Sequence, residues 1–175
     1  ASIERVCEDE MRQTALVVGD GIIKTIEHLM AAFHGLGVDN AYVEVEGEEL
    51  PAMDGSAREY TATILKTGLA DQKVPRRYIE VAEPVIVDHG DHSIICVPSD
   101  RLTISYTLSY RHKDLQDQFM SLSILQEIFE RKLASARTFC LKEEANALLA
   151  QGFGKGASVQ NTLVFDKISP IDNQL

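Results

Sequence analysis

Apolar and polar residues follow two rhythms along this chain, mixed strands and helices up to residue 68 and a strand-rich grammar after residue 77. TALVV (14–18) and IIK (22–24) flank a Gly-Asp-Gly, which predicts two short strands around a tight turn, with Asp-Gly supplying the positive φ that hairpins require. Thr25 is the expected cap of a helix whose Ile26, Leu29, Met30 and Phe33 fall at i, i+3, i+4 and i+7. Gly35 and Gly37 end it. NAYVEVE (40–46) alternates apolar and acidic residues and predicts a half-buried strand. Pro51 and the Asp54-Gly55-Ser56 turn then lead into a second helix over 56–67, with Ala57, Tyr60, Ile64 and Leu65 facing inward and Gly68 closing it.

ADQKVPRR (70–77) is polar and carries a proline, so the expected domain boundary lies there: 1–72 and 73–175. Three β-rich runs come next at 77–88, 93–99 and 101–110, joined by His-Gly-Asp-His and a proline-containing turn. A helix near 122–133, the short SARTF (135–139), a helix near 142–150 ended by Gly152, and a last strand TLVFD (162–166) complete the reading. Strands and helices do not alternate as evenly spaced βαβ units. The expected fold class is therefore α+β, sheets layered against helices.

Composition narrows the function classes. With 27 acidic and 17 basic residues the formal charge is −10, which repels phosphate backbones, so a nucleic-acid partner is not expected. The compact basic cluster is Lys73, Arg76 and Arg77. The three cysteines, Cys7, Cys96 and Cys140, are widely spaced and form no C-x-x-C pair, which suggests a reducing compartment and no thiolate metal knot. No run approaches the roughly 20 apolar residues of a membrane helix. A soluble, cytoplasmic protein is expected.

Candidate chemistry is sparse. Glu27 and His28 sit in the first turn of the first helix, where negative charge is favoured; a Glu-His pair is often a plain surface pair, and a catalytic zinc needs about three protein ligands. His34 lies near the helix end, and His89 and His92 flank a Gly-Asp turn. His112-Lys113 resembles the start of a His-x-x-x-Asp pair, but four residues beyond His112 stands Gln116, which is no carboxylate. Arg137-Thr138-Phe139 places a hydroxyl next to an aromatic at a strand-to-helix connection, and such a hydroxyl can donate to a developing oxyanion or simply cap a turn. The glycine-rich GFGKGAS (152–158) lacks P-loop spacing and precedes a strand.

Two stretches, TIEHLMAAFHGLGVDNAYVEVEGEELPAMDGSA (25–57) and ARTFCLKEEANALLAQGFGKGASVQNTLVFD (136–166), together resemble the UDP-3-O-acyl-N-acetylglucosamine deacetylases, zinc enzymes of lipid A biosynthesis. The resemblance runs in register through nearly all of the chain. It implies two similar layered domains with the site between them, the second domain carrying a βαβ insert at about 139–165. By the same resemblance His28 is a zinc ligand, Glu27 the general base and Thr138 the oxyanion donor. Tyr110 matches an aromatic that packs on uracil, although Ser109 replaces an acidic neighbour there. Phe139, Leu148, Ala157, Thr162 and Val164 are the expected contacts to substrate, the last four lining a passage for the acyl chain.

The resemblance further implies strands before residue 1, and a helix after residue 175 with a His-Lys-x-x-x-Asp motif that brings the other two zinc ligands. A later histidine would serve as general acid. This chain is thus expected to hold Zn2+ through one ligand of three and to carry part of a site. The expected substrate is an acylated UDP-sugar, with transient membrane-surface contact through its lipid and a monomeric complete protein. The competing expectation is a non-catalytic module, derived from that enzyme, which binds a nucleotide sugar or a protein.

Overall fold

The computed structural model describes residues 2–7, 12–110, 112, 115–152, 154 and 156–166. The fold is α+β and divides into two compact units, residues 1–69 with 126–175, and residues 70–125. Residues 126–175 thus join the first unit, whereas the sequence pattern groups them with 73–125.

In the first unit, β1 (Leu16–Val18) and β2 (Gly21–Ile23) pair antiparallel, Leu16 opposite Ile23. The left-handed residue of their two-residue turn is Gly19, at φ 60°, and not the expected Asp-Gly that follows it. Helix α1 (Glu27–Gly35) comes next. Thr25 does not cap it: Ile26 is the N-cap, and no side chain closes the end. The buried face is also rotated from the expected stripe. Ile26, Ala32, Gly35 and Leu36 are buried while Met30 is exposed. The small residues Ala32 and Gly35 allow the closest approach, and the Phe129 ring lies so tightly on Gly35 that a Cβ there would overlap it.

Residues 40–46 do not form the expected strand. The segment is largely exposed, with Tyr42 fully so, and no strand pairs with it among the described residues. Pairing begins just beyond it, at the parallel bridge of Lys24 with Glu49. Helix α2 (Arg58–Thr67) packs against α1. Ala57 and Thr61 are buried, Tyr60 and Ile64 rest on the core, and Leu65, at the margin of the stripe, is exposed instead of inward.

Helix α3 (Gln126–Ile128) widens into a π turn over Phe129–Leu133, where the Ala134 amide donates to the Phe129 carbonyl at 2.8 Å. That wider turn brings Phe129 and Ala134 to one side, and both join Ala32 and Ala57 in the core. The unit ends in β7 (Phe139–Leu141), α4 (Lys142–Ala150) and β8 (Leu163–Phe165), with the two strands parallel, Cys140 opposite Val164.

The second unit contains two antiparallel pairs. β3 (Val85–Asp88) meets β4 (Ser93–Cys96), and β5 (Thr103–Leu108) meets β6 (Gln118–Ser123). The run expected from residue 77 becomes strand only at Val85, after Pro84, which has no amide to donate. β6 falls where the helix was expected to begin. It is specified by partners distant in sequence: the Ser105 and Ser121 hydroxyls meet at 2.8 Å and those of Thr103 and Ser123 at 3.2 Å.

Candidate functional site

Glu27 and His28 are the first two residues of α1, and both are half-buried. The chain enters this helix through an antiparallel exchange with residue 14. The Ile26 amide donates to the Thr14 carbonyl, and the Thr14 amide donates to Glu27 Oε2, both at 3.1 Å. One carboxylate oxygen is therefore pinned to backbone. Glu27 Oε1 accepts no hydrogen bond among the described residues.

Thr138 is exposed at its side chain but fixed at its backbone. Its amide donates to the Gly55 carbonyl at 2.8 Å, and its carbonyl accepts from the Leu163 amide at 2.9 Å. Gly55 is at φ 81°, and a Cβ there would collide with the Asn161 carbonyl, so only glycine fits. Arg137 ties the same parts together, its guanidinium donating to the Asp54 carbonyl at 2.8 Å and the Val159 carbonyl at 3.1 Å. The Asp54 side chain accepts from the Ser56 amide and hydroxyl and pairs with Arg58 at 2.6 Å. Burial works against that charge, but the Ser56 donors and the Arg58 and Arg137 guanidiniums outweigh it and hold the Asp54 carboxyl below its ordinary value.

The two clusters share a unit and a core. Ala57, directly after the 54–56 turn that anchors Thr138, packs with Ala32 of the helix that carries Glu27 and His28. Neither Thr14 nor Thr25 was marked as part of a site by sequence reasoning. The hydrogen bonds that involve them span 12 or more residues, and no local pattern reveals such a bond.

The remaining predicted residues are more scattered. Phe139 opens β7 and meets Phe165 edge-on, ring centroids 6.0 Å apart. Val164 is half-buried in β8, and Leu148 is half-buried on α4, which packs on both strands. Thr162 is half-buried, its amide donating to the Ser158 carbonyl at 2.8 Å and its hydroxyl to Asn161 Oδ1 at 3.2 Å. Ala157 is exposed in a turn closed by its amide on the Gly154 carbonyl. Tyr110 belongs to the other unit. It is half-buried, its amide donates to the Leu115 carbonyl, and neighbouring Ser109 donates to Asp117. Lys113, Phe153 and Lys155, noted in the sequence, lie outside the described residues.

A salt bridge of 2.7 Å from Arg12 to Glu144 links the N-terminal segment to α4. Burial opposes the Glu144 charge, and Arg12 with the Leu141 amide outweighs it, lowering the Glu144 carboxyl. Burial, then the Glu144 charge, raises the nearby Cys140 thiol, with Arg12 acting against them. Among the described residues no three His, Cys, Asp or Glu side chains gather as a metal-binding group. His28 with its neighbours does not by itself make the three-ligand set a catalytic zinc requires. Nor is any described helix long and apolar enough to cross a membrane.

Comparison with known proteins gives one consistent result. Residues 1–175 match the family described as LpxC, UDP-3-O-acyl N-acetylglycosamine deacetylase. The chain is 37% identical over 161 residues to a UDP-3-O-acyl-N-acetylglucosamine deacetylase of Anaeromyxobacter dehalogenans (strain 2CP-C), covering 92% of this chain and 52% of the relative. It is 40% identical over 151 residues to the enzyme of that name from Citrifermentans bemidjiense, covering 86% of this chain and 50% of the relative. Against the one from Phenylobacterium zucineum (strain HLK1) identity is 38% over 168 residues, covering 94% of this chain and 56% of the relative. The chain spans about half the length of the curated relatives it matches.

Proposed function

Since the chain belongs to the UDP-3-O-acyl N-acetylglycosamine deacetylase family, we propose that it carries the base-bearing part of an amidohydrolase that removes acetate from UDP-3-O-acyl-N-acetylglucosamine in lipid A biosynthesis. The observation that carries this reading is Glu27, half-buried at the start of a helix with one oxygen anchored to the Thr14 amide and the other open. A carboxylate held in that way can take the proton of an attacking water without losing orientation. Beside it, His28 is the proposed contribution of this chain to a zinc site. The described residues do not complete that site.

Thr138 is the proposed donor to the oxyanion that forms as water adds to the acetamide carbonyl. Its rigid backbone and exposed hydroxyl suit the role, because a donor that need not reorganise stabilises developing charge best. Leu148, Ala157, Thr162 and Val164, on and around α4 and β8, are the proposed contacts for the acyl chain, Phe139 of β7 is a further proposed substrate contact, and Tyr110 is the proposed contact for the nucleotide. Anchoring of the chain remote from the amide would orient the reacting carbonyl. The proposed setting is the cytoplasm.

The test is acetate release by the full-length protein. Glu27→Ala should abolish turnover, and Thr138→Ala should lower it by about 10²–10³, the range for one oxyanion donor. Unchanged turnover in Glu27→Ala would remove the base. A full-length protein that binds the nucleotide sugar without releasing acetate would mark a binding module instead.

A further inference from the structure

Thr25 is the one buried β-branched residue at positive φ, 58°, among the described residues. A branched side chain there crowds its own backbone, and such a conformation persists only where its surroundings impose it. They do so on both sides. The Lys24 amide donates to the Glu48 carbonyl at 2.8 Å and the Leu50 amide to the Lys24 carbonyl at 3.0 Å, which clamps the residue before the kink. After it, the Ile26 amide is held by Thr14 at 3.1 Å. The Thr25 hydroxyl lies 2.8 Å from Glu49 Oε1 and 3.2 Å from Gln13 Oε1. Its single proton goes to the nearer, charged acceptor.

A kink so fully determined sets the direction in which α1 starts, and the first residues of α1 are Glu27 and His28. We propose that Thr25, braced by Glu49, is the positioning residue that holds the start of α1 so that the Thr14 amide and the Glu27 carboxylate meet. The proposal deepens the reading of Glu27 as base and rests on it. Glu49 is exposed and makes no part of the core, so its bond to Thr25 is not required to fill space. Its place is explained by what it does to the backbone. Loss of the brace lets residue 25 leave the left-handed region, turns the first helical residues, and breaks the Thr14 to Glu27 hydrogen bond.

The experiment uses the full-length protein, with kinetics of acetate release and hydrogen exchange of the Thr14 amide measured by NMR. Thr25→Val and Glu49→Ala should each lower kcat by about 10- to 100-fold with little change in KM, the scale for a misplaced reacting group. Thr14 exchange should accelerate by about tenfold as its charged acceptor is lost, as in Glu27→Ala. Thr25→Ser and Glu49→Gln, which keep the hydroxyl and an acceptor oxygen, should restore both. If Thr25→Val fails to fold, the surface change Glu49→Ala carries the same test. Normal Thr14 exchange together with normal kcat in Glu49→Ala would overturn the brace. Accelerated exchange in that variant, in a protein whose turnover does not depend on Glu27, would uphold the brace and sink the base assignment alone.

Discussion

A carboxylate paired with one guanidinium, near the charge of a second, and bonded to a hydroxyl is a pH-dependent joint, and Asp54, with Arg58, Arg137 and Ser56, is such a group in the turn that anchors Thr138. Its lowered pKa means that its charge favours the fold. The stability it adds is complete above the ordinary aspartate value, about 3.9, and is lost as pH falls through the lowered value of the folded protein. Asp54→Asn should therefore lower the melting temperature at neutral pH, and the gap to wild type should close toward strongly acidic pH. Melting curves of both proteins across pH decide it, and a gap that is constant with pH would mean the charge is immaterial. At this scale the sequence was informative where chemistry is written in residue type. Glu27, His28 and Thr138 are singled out by pattern and resemblance. Thr25 was read as a cap, because Thr before a helix usually is one; its actual conformation is imposed by residues 13, 14 and 48–50, which no local pattern connects to it.

Among the elements, the junction of α1, α2 and the π turn carries the first unit. Phe129 is the large side chain of a buried cluster whose other members are Ala32, Ala57 and Ala134, and it fills the hollow over Gly35. Phe129→Ala should cost about 3–5 kcal/mol, as large buried aromatics do. Gly35→Ala should also destabilise, by about 1–3 kcal/mol through overpacking, since its methyl would enter the space of the ring. Denaturant unfolding of each variant checks both; a Gly35→Ala protein as stable as wild type would show that the ring can move aside. Both helices and the first hairpin were legible because their signals are local: periodicity, a Gly-Asp-Gly between two apolar runs, Gly68 at a helix end; the βαβ insert was expected from the resemblance. The 40–46 segment carries a clean alternating pattern and is still no strand, for a pattern names a face but cannot supply the partner. β6 failed in the opposite sense, its identity residing in a serine and a threonine on the far side of a hairpin.

For the molecule as a whole, residues 70–77 are exposed and without regular structure, and they form the passage from the first unit to the second. Trypsin should cut first at Lys73, Arg76 or Arg77 within this run, as accessible polar connections are the usual first sites of proteolysis. Mass spectrometry of early fragments tests this, and a first cut inside α1 or α2 would contradict it. The return passage at residues 125–126 has no such polar signature. The first unit is consequently discontinuous in the chain, which has an effect during synthesis. Ala32 and Ala57 leave the ribosome well before Phe129, the residue that covers them. At usual translation rates that interval is on the order of ten seconds. Through that time the nascent helices present an uncovered apolar face.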